Sequence, residues 1–179
     1  LTLELGGKAA NIVYEDAAID QAVEGVVNGI FFNQGHVCCA GSRLLLQESI
    51  HDEFITKLEK RMQTLRVGNP LDKNTDIGAV NSKEQLNKIQ ELVNEGVSDG
   101  GKIFQTECEL PGNGFWFKPT LFTDVQPSYS IAREEIFGPV LTTLTFRTPQ
   151  EAIEIANNTE YGLSAGVWTE KGSKILWTA

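Results

Sequence analysis

The chain has 179 residues, 41% of them hydrophobic, and a formal net charge of −9. This length suits one domain with a core of its own, and no apolar run approaches the length of a membrane span. The acidic balance disfavours nucleic acid and anionic membrane as partners.

The chain contains three cysteines, Cys38, Cys39 and Cys108, and two histidines. An odd number of thiols, two of them adjacent, is a poor disulfide framework and favours a reducing compartment. A cytoplasmic location is therefore predicted. Two histidines without a Cys-x-x-Cys pair offer no credible set of metal ligands, so we expect no metal site.

The first half of the chain predicts three strands and two helices. Apolar runs bounded by glycine, acidic or turn residues predict strands over residues 1–5, 10–14 and 43–47. Apolar residues at helical spacing predict a helix over 19–31, with Asp16 as a candidate N-cap. A second helix is predicted to start at the capping pair Ser49 and Asp52 and to continue to Leu65.

The second half predicts four more strands and three helices. The strands are predicted over residues 102–105, 116–122, 139–146 and 162–168. Pro119 lies within the second of these, which predicts an edge or irregular strand. A capping box at Ser82 and Gln85 starts one helix, Thr148 caps the next, and the last starts at Ser173.

Strands that alternate with helices predict parallel pairing and right-handed crossovers. We therefore expect the α/β class, as a three-layer domain in which helices flank a mostly parallel sheet. The chain begins at Leu1 inside a predicted strand and stops at Ala179 inside a predicted helix. It is therefore expected to be part of a longer protein, truncated at both ends.

Two adjacent thiols follow the first helix, in the run Asn33-Gln34-Gly35-His36-Val37-Cys38-Cys39-Ala40-Gly41-Ser42-Arg43. Gly35 can end the helix because glycine tolerates left-handed backbone angles. The small residues after the thiols leave room for a molecule to approach the sulfur. Cys38 is therefore a candidate nucleophile, and the alternative is a small buried hydrophobe.

A carboxylate near the start of the chain lies in the run Leu3-Glu4-Leu5-Gly6-Gly7-Lys8. Two leucines beside Glu4 predict a desolvated setting, which would raise the carboxyl pKa toward the range of a general base. The alternative is a solvated glutamate at the end of a strand.

A third run, Glu134-Glu135-Ile136-Phe137-Gly138-Pro139-Val140, completes a pattern. The three runs resemble signatures of the aldehyde dehydrogenase superfamily in the family's order and separation, and the resemblance extends over the whole chain. It implies that residues 1–179 are the thiol-bearing catalytic domain, with the cofactor-binding domain outside this chain. The run over 22–27 and the His36-Val37 pair are most similar to the family-16 branch.

The resemblance implies a role for each site residue. Cys38 would attack an aldehyde, and the thiohemiacetal would lose hydride to NAD or NADP, with NAD favoured, to leave a thioester. Glu4 would activate the water that hydrolyses this thioester, giving a carboxylic acid. Glu135 would hold the nicotinamide-ribose hydroxyls, and Phe137 would orient the nicotinamide ring.

Weaker signals surround these residues. The backbone of Leu5 and Gly6 could approach the nicotinamide amide. Gln85 and Lys88 fall where some family members contact the ribose, and a solvated helix face is an equal alternative. His36 stands where the family usually has glutamine; either it binds a carbonyl at the helix end or it influences the neighbouring thiol.

The resemblance implies a small-molecule aldehyde as substrate and a homo-oligomer for the full-length protein, and the isolated chain is expected to be inactive. Two other functions are open from the residues. Cys38 and Glu4 could act as a thiol esterase without nicotinamide, or the domain could be a non-catalytic scaffold.

Overall fold

The computed structural model describes residues 1–179, and its centre is one sheet in the order β3-β4-β5-β2-β1-β6. The strands are β1 (Ala10–Val13), β2 (Arg43–Gln47), β3 (Lys102–Gln105), β4 (Thr120–Thr123), β5 (Val140–Phe146) and β6 (Ala165–Trp168). The helices are α1 (Ile19–Phe31), α2 (His51–Met62), α3 (Lys83–Ser98), α4 (Ser130–Arg133), α5 (Pro149–Asn157) and α6 (Gly172–Thr178). Only β3 and β4 pair antiparallel; every other neighbouring pair is parallel.

Helices cover both faces of the sheet. Successive side chains of a strand point to opposite faces, so Leu44 and Leu46 pack in a cluster with α1 and α2, whereas Leu45 packs on the side of α5. Burial on both faces explains why β2 is apolar throughout its centre. The predicted three-layer α/β fold with a mostly parallel sheet is confirmed.

The strongest local signals are also confirmed. The predicted stripe of the first helix is the buried side of α1 at Ala22, Val23, Val26, Val27, Ile30 and Phe31. The backbone N–H of Gln85 donates to Ser82 Oγ at 3.1 Å, and that of Glu151 donates to Thr148 Oγ1 at 3.2 Å. These short-range patterns hold because each needs only neighbouring residues to form.

The strand predicted over residues 1–5 is absent. This segment pairs with none of the six strands, and Leu3 and Leu5 are 63% and 57% exposed. A strand needs a neighbour for its backbone hydrogen bonds, and residues 1–5 lie along neither edge strand of the sheet, β3 or β6.

Two predicted helix caps are wrong as well. Asp16 caps no helix; its carboxylate accepts hydrogen bonds from Thr169 Oγ1 at 2.7 Å and Lys174 Nζ at 2.6 Å, which ties the turn after β1 to α6. Ser49 donates to Glu15 instead of capping α2, which starts after a 3-10 turn over Glu48–Ile50. Both side chains form hydrogen bonds with residues that are distant in sequence.

Pro119 immediately precedes β4, so the strand begins at Thr120 and is shorter than predicted. It is not an edge strand, because it lies between β3 and β5. The short helix α4 was not predicted. No helix has the length and apolarity needed to cross a bilayer, and no cluster of three or more metal-binding side chains forms.

Candidate active site

Cys38 lies in an exposed turn that follows α1. A short 3-10 stretch, Phe32–Gly35, ends the helix, and its residues Asn33, Gln34 and Gly35 have φ angles of 49°, 47° and 75°. A hydrogen bond of 3.0 Å from the Ala40 N–H to the Val37 carbonyl then closes a turn with Cys38 at its exposed corner. The thiol therefore has access to solvent and is supported by a buried helix, as a nucleophile requires.

The segment that carries Glu4 packs on this turn through glycine. A Cβ atom at Gly7 would collide with the carbonyl oxygen of Cys38, so the two backbones touch. Glu4 itself is exposed, and so are Leu3 and Leu5 on either side of it. The desolvated setting predicted for Glu4 is therefore wrong for this chain, because neither leucine is covered by another element.

Glu135 binds the same glycine segment. Its Oε1 accepts a hydrogen bond from the Gly7 N–H at 2.7 Å, and a Cβ at Gly6 would lie 2.7 Å from its Oε2. The carboxylate thus fixes the backbone next to Cys38, a contact that no sequence signal indicated. Its second oxygen accepts no hydrogen bond from the chain.

Phe137 has a left-handed backbone with a φ of 53°. Gln85 Nε2 donates to the carbonyls of Ile136 at 2.8 Å and Phe137 at 3.0 Å, so α3 holds this loop in place. Gln85 is thus more than part of a solvated helix face. Lys88, one turn further along α3, is exposed and makes neither a hydrogen bond nor an ion pair.

The Phe137 loop also packs directly on the thiol loop. A Cβ at Gly35 would collide with the carbonyl of Gly138, and the positive φ of Gly35 favours glycine for a second reason. The rings of His36 and Phe137 lie 5.2 Å apart at 60°. The three signature runs, which are far apart in sequence, therefore meet in one place.

The sequence left two roles open for His36, a hydrogen bond to a carbonyl at the helix end or an influence on the thiol, and the structure shows the hydrogen bond to a carbonyl. Its Nδ1 lies 3.1 Å from the Gln34 carbonyl oxygen, so Nδ1 carries the proton and donates. Its Nε2 is shielded from solvent and has no hydrogen-bond partner, the sulfur of Cys38 included. The ring therefore does not bind the thiol.

Lys8 is the residue at this site that sequence reasoning missed. Its side chain is 1% exposed and its Nζ has no hydrogen-bond partner. Burial, helped by the nearby Arg43 guanidinium, lowers the pKa of Lys8 to about 7 against the opposing pull of Glu135 and Glu134. A lysine next to two glycines looks exposed in sequence, so no local signal could have shown this.

Arg43 explains part of the packing around Lys8. Its guanidinium donates to the carbonyls of Lys8 at 2.8 Å, Ile155 at 3.0 Å and Ala156 at 2.8 Å. Burial lowers the pKa of this guanidinium, which stays a cation because arginine is effectively always protonated. Arg43 thereby joins the glycine segment to the end of α5.

Comparison with known sequences finds relatives along the whole chain. A family model described as the aldehyde dehydrogenase family matches residues 1–179. Retinal dehydrogenase 2 of Taeniopygia guttata is 47% identical over 179 residues, which cover 98% of this chain and 34% of that protein. An aldehyde dehydrogenase of Emericella nidulans is 47% identical over 171 residues, or 95% of this chain and 34% of that protein. The chain thus spans about a third of the length of these curated relatives.

Solved structures similar to this chain are also aldehyde dehydrogenases. An NAD-dependent aldehyde dehydrogenase from Sinorhizobium meliloti superposes with a TM-score of 0.94 at 43% identity, over 98% of this chain and 35% of that one. A betaine aldehyde dehydrogenase from Staphylococcus aureus, solved in complex with NAD+, gives a TM-score of 0.94 at 38% identity, with 98% and 35% covered.

Proposed function

This chain belongs to the aldehyde dehydrogenase family, and from that premise we propose that the protein carrying it oxidises an aldehyde to a carboxylic acid with NAD as hydride acceptor. One observation carries the proposal. The exposed thiol of Cys38 lies where the glycine segment after Glu4 and the loop of Glu135 and Phe137 meet. The thiol of Cys38, the carboxylate of Glu4 and the ring of Phe137 thus lie on three segments that touch one another.

Cys38 starts the chemistry. Its thiolate attacks the carbonyl carbon of the aldehyde, which forms the carbon–sulfur bond and leaves negative charge on the carbonyl oxygen. The backbone N–H of Cys38 donates to no group in the chain, so it can donate to this developing oxyanion. Covalent capture divides one difficult oxidation into two easier steps.

Two residues of this chain fit the nicotinamide end of NAD. Glu135 keeps Oε2 without a protein hydrogen bond, which suits it to accept from ribose hydroxyls, while Gly7 fixes Oε1. Phe137 is half-buried, and His36 and Gln85 hold it, so its ring can orient a flat partner. When bound, the nicotinamide supplies the acceptor for the hydride that the thiohemiacetal carbon releases. We propose that Leu5 and Gly6 approach the same end of the cofactor and that Lys88 lies at its margin.

Glu4 completes the cycle in this proposal. Its exposed carboxylate has access to water and lies three residues before Gly7, the residue that packs on Cys38. We assign it the removal of a proton from the water that attacks the thioester, which breaks the carbon–sulfur bond and returns Cys38 as a thiolate.

The test compares two adjacent thiols in the full-length protein. Cys38→Ala should lower NAD-dependent aldehyde oxidation by roughly 10³-fold or more, as removal of a nucleophile usually does. Cys39→Ala is the matched control, because Cys39 is also an exposed thiol in the same turn, and it should keep most of the activity. A panel of aliphatic and aromatic aldehydes with retinal serves as substrate. Equal activity in both variants would refute the role of Cys38.

Mass spectrometry tests the role of Glu4. Glu4→Gln should still form the thioester on Cys38 but should hydrolyse it slowly, so the acyl-enzyme should accumulate. Normal steady-state turnover in Glu4→Gln would contradict the assignment. If the wild-type protein instead hydrolyses an activated ester without cofactor and oxidises no aldehyde, the thiol esterase function is correct.

We extend the proposal to organisation and location. Since the chain covers about a third of its curated relatives, we propose that residues 1–179 form the thiol-bearing part of the catalytic domain and that the cofactor-binding domain lies in the rest of the protein. Three unpaired cysteines support a reducing, cytoplasmic compartment. We further propose a homo-oligomer, which light scattering of the full-length protein can test, and the family-16 branch stays a prediction.

A further inference from the structure

His36 makes the one aromatic contact between the two loops on which the proposed chemistry depends, the loop of Cys38 and the loop of Phe137. It lies two residues before Cys38, and its ring packs on Phe137 with a centroid distance of 5.2 Å. Since it makes no bond to the sulfur, its contribution must come through position and not through proton transfer.

The thiol loop holds His36 firmly. The His36 N–H donates to the Asn33 carbonyl at 3.0 Å, and Asn33 Nδ2 donates to the His36 carbonyl at 3.1 Å. The ring is fixed as well, because Nδ1 donates to the Gln34 carbonyl at 3.1 Å and its other nitrogen is shielded. The ring is therefore a rigid extension of the loop that carries Cys38.

Phe137 needs such a support. Phe137 is a non-glycine residue with a φ of 53°, a strained backbone conformation that the surroundings must stabilise. Gln85 holds this loop from α3 through hydrogen bonds to two backbone carbonyls, and these bonds do not involve the ring. The ring has one aromatic neighbour, His36.

We propose that His36 is a positioning residue that transmits the placement of the Cys38 loop to the Phe137 ring, so that the attacking sulfur and the surface for the nicotinamide keep one spacing. This inference rests on the proposed function. Thiol reactivity and cofactor alignment should then respond differently to substitution of His36. The reactivity of the thiol belongs to Cys38 and its turn, whereas the alignment of the cofactor depends on the ring contact.

Three substitutions in the full-length protein test the proposal. His36→Ala removes the ring and its hydrogen bond, His36→Phe keeps only the ring, and His36→Asn keeps a donor near Gln34 without the ring. We expect His36→Ala and His36→Asn to lower kcat for aldehyde oxidation by roughly 10- to 100-fold, the usual effect of misplaced reacting groups. His36→Phe should recover most of this loss. The control His51→Ala, on α2, should behave as wild type.

Two further measurements exclude a merely structural effect. The rate of Cys38 alkylation by iodoacetamide should stay within about twofold of wild type in all variants, because the thiol turn is unchanged. Hydrogen exchange at residues 137 and 138 should accelerate in His36→Ala but not in His36→Phe. Parallel loss of alkylation and oxidation, or unchanged exchange at 137 and 138, would overturn the proposal. A wild-type protein that oxidises no aldehyde would instead refute the proposed function, and the exchange result would still report on the ring contact.

Discussion

Gly7→Ala gives the sharpest test of the site geometry, because one methyl group challenges the contact between two signature loops. The added Cβ would overlap the Cys38 carbonyl oxygen, with Leu163 Cβ 3.8 Å away on another side. Gly7 does not have a positive φ, so the substitution brings no backbone strain of its own. A carbonyl can move only with its peptide group, and the turn that carries the thiol must therefore shift.

The expected magnitudes follow from this overlap. Overpacking of a rigid contact costs typically about 1 to 3 kcal/mol in the free energy of unfolding. A displacement of about 1 Å near the reacting atoms can lower the rate of catalysis by roughly 10²-fold. We therefore expect Gly7→Ala to fold, to unfold at lower urea concentration, and to lose most of its aldehyde oxidation.

Gly112→Ala is the matched control. A Cβ there would meet nothing within 4 Å, and Gly112 has no positive φ. Its free energy of unfolding should stay within about 0.5 kcal/mol of wild type, as at most surface positions. The assays are urea unfolding by tryptophan fluorescence and initial rates in the full-length protein. If Gly7→Ala matches wild type in both, the backbone contact with Cys38 is not as described.

Three more outcomes are expected. Lys8→Met should stabilise the protein near neutral pH by a few kcal/mol, at about 1.4 kcal/mol per pKa unit. Between the folded pKa of about 7 and the ordinary 10.5, the Lys8 amine is protonated in the unfolded chain but neutral in the folded one. The free energy of unfolding of the wild type therefore rises with pH in this range, and the advantage of Lys8→Met should shrink. A difference that stays constant with pH would contradict the burial of Lys8. Burial alone raises the pKa of Asp16, but the hydrogen bonds from Lys174 and Thr169 outweigh it and lower the pKa to about 2. Asp16→Asn should therefore lower the free energy of unfolding by about 1 to 2 kcal/mol near neutral pH, and this loss should vanish as the pH falls from 3.8 toward 2. Gln85→Leu should raise KM for NAD severalfold without slower alkylation of Cys38, since each lost hydrogen bond to the Phe137 loop is worth about 1 kcal/mol. An unchanged KM would count against the proposed role of this loop in binding NAD.

Much of the fold could be predicted because the signals are local. The stripe along α1 repeats within one helix, and the caps at Ser82 and Thr148 need only residues a few positions away. The alternation of strands with helices then selects the three-layer α/β class, since few arrangements bury such elements.

Local patterns failed where a distant partner decides. Leu1 to Leu5 has the composition of a strand, but no strand in the sheet has an edge that it pairs with. Asp16 is a plausible helix cap, and yet Lys174 on α6 offers it a stronger, charged partner. A side chain takes the best partner in space, which short-range spacing does not reveal.

The candidate site likewise has features that the sequence determines and features that only the folded structure shows. The sequence by itself determined which reactive groups the candidate site can contain, because a thiol at position 38 and carboxylates at 4 and 135 are properties of single residues. Only the tertiary structure decided that Gly7 approaches the Cys38 carbonyl, that the His36 ring packs on Phe137, and that the Lys8 Nζ is buried without a partner. Close approach and loss of water depend on how separate segments pack, and packing is a property of the folded chain as a whole.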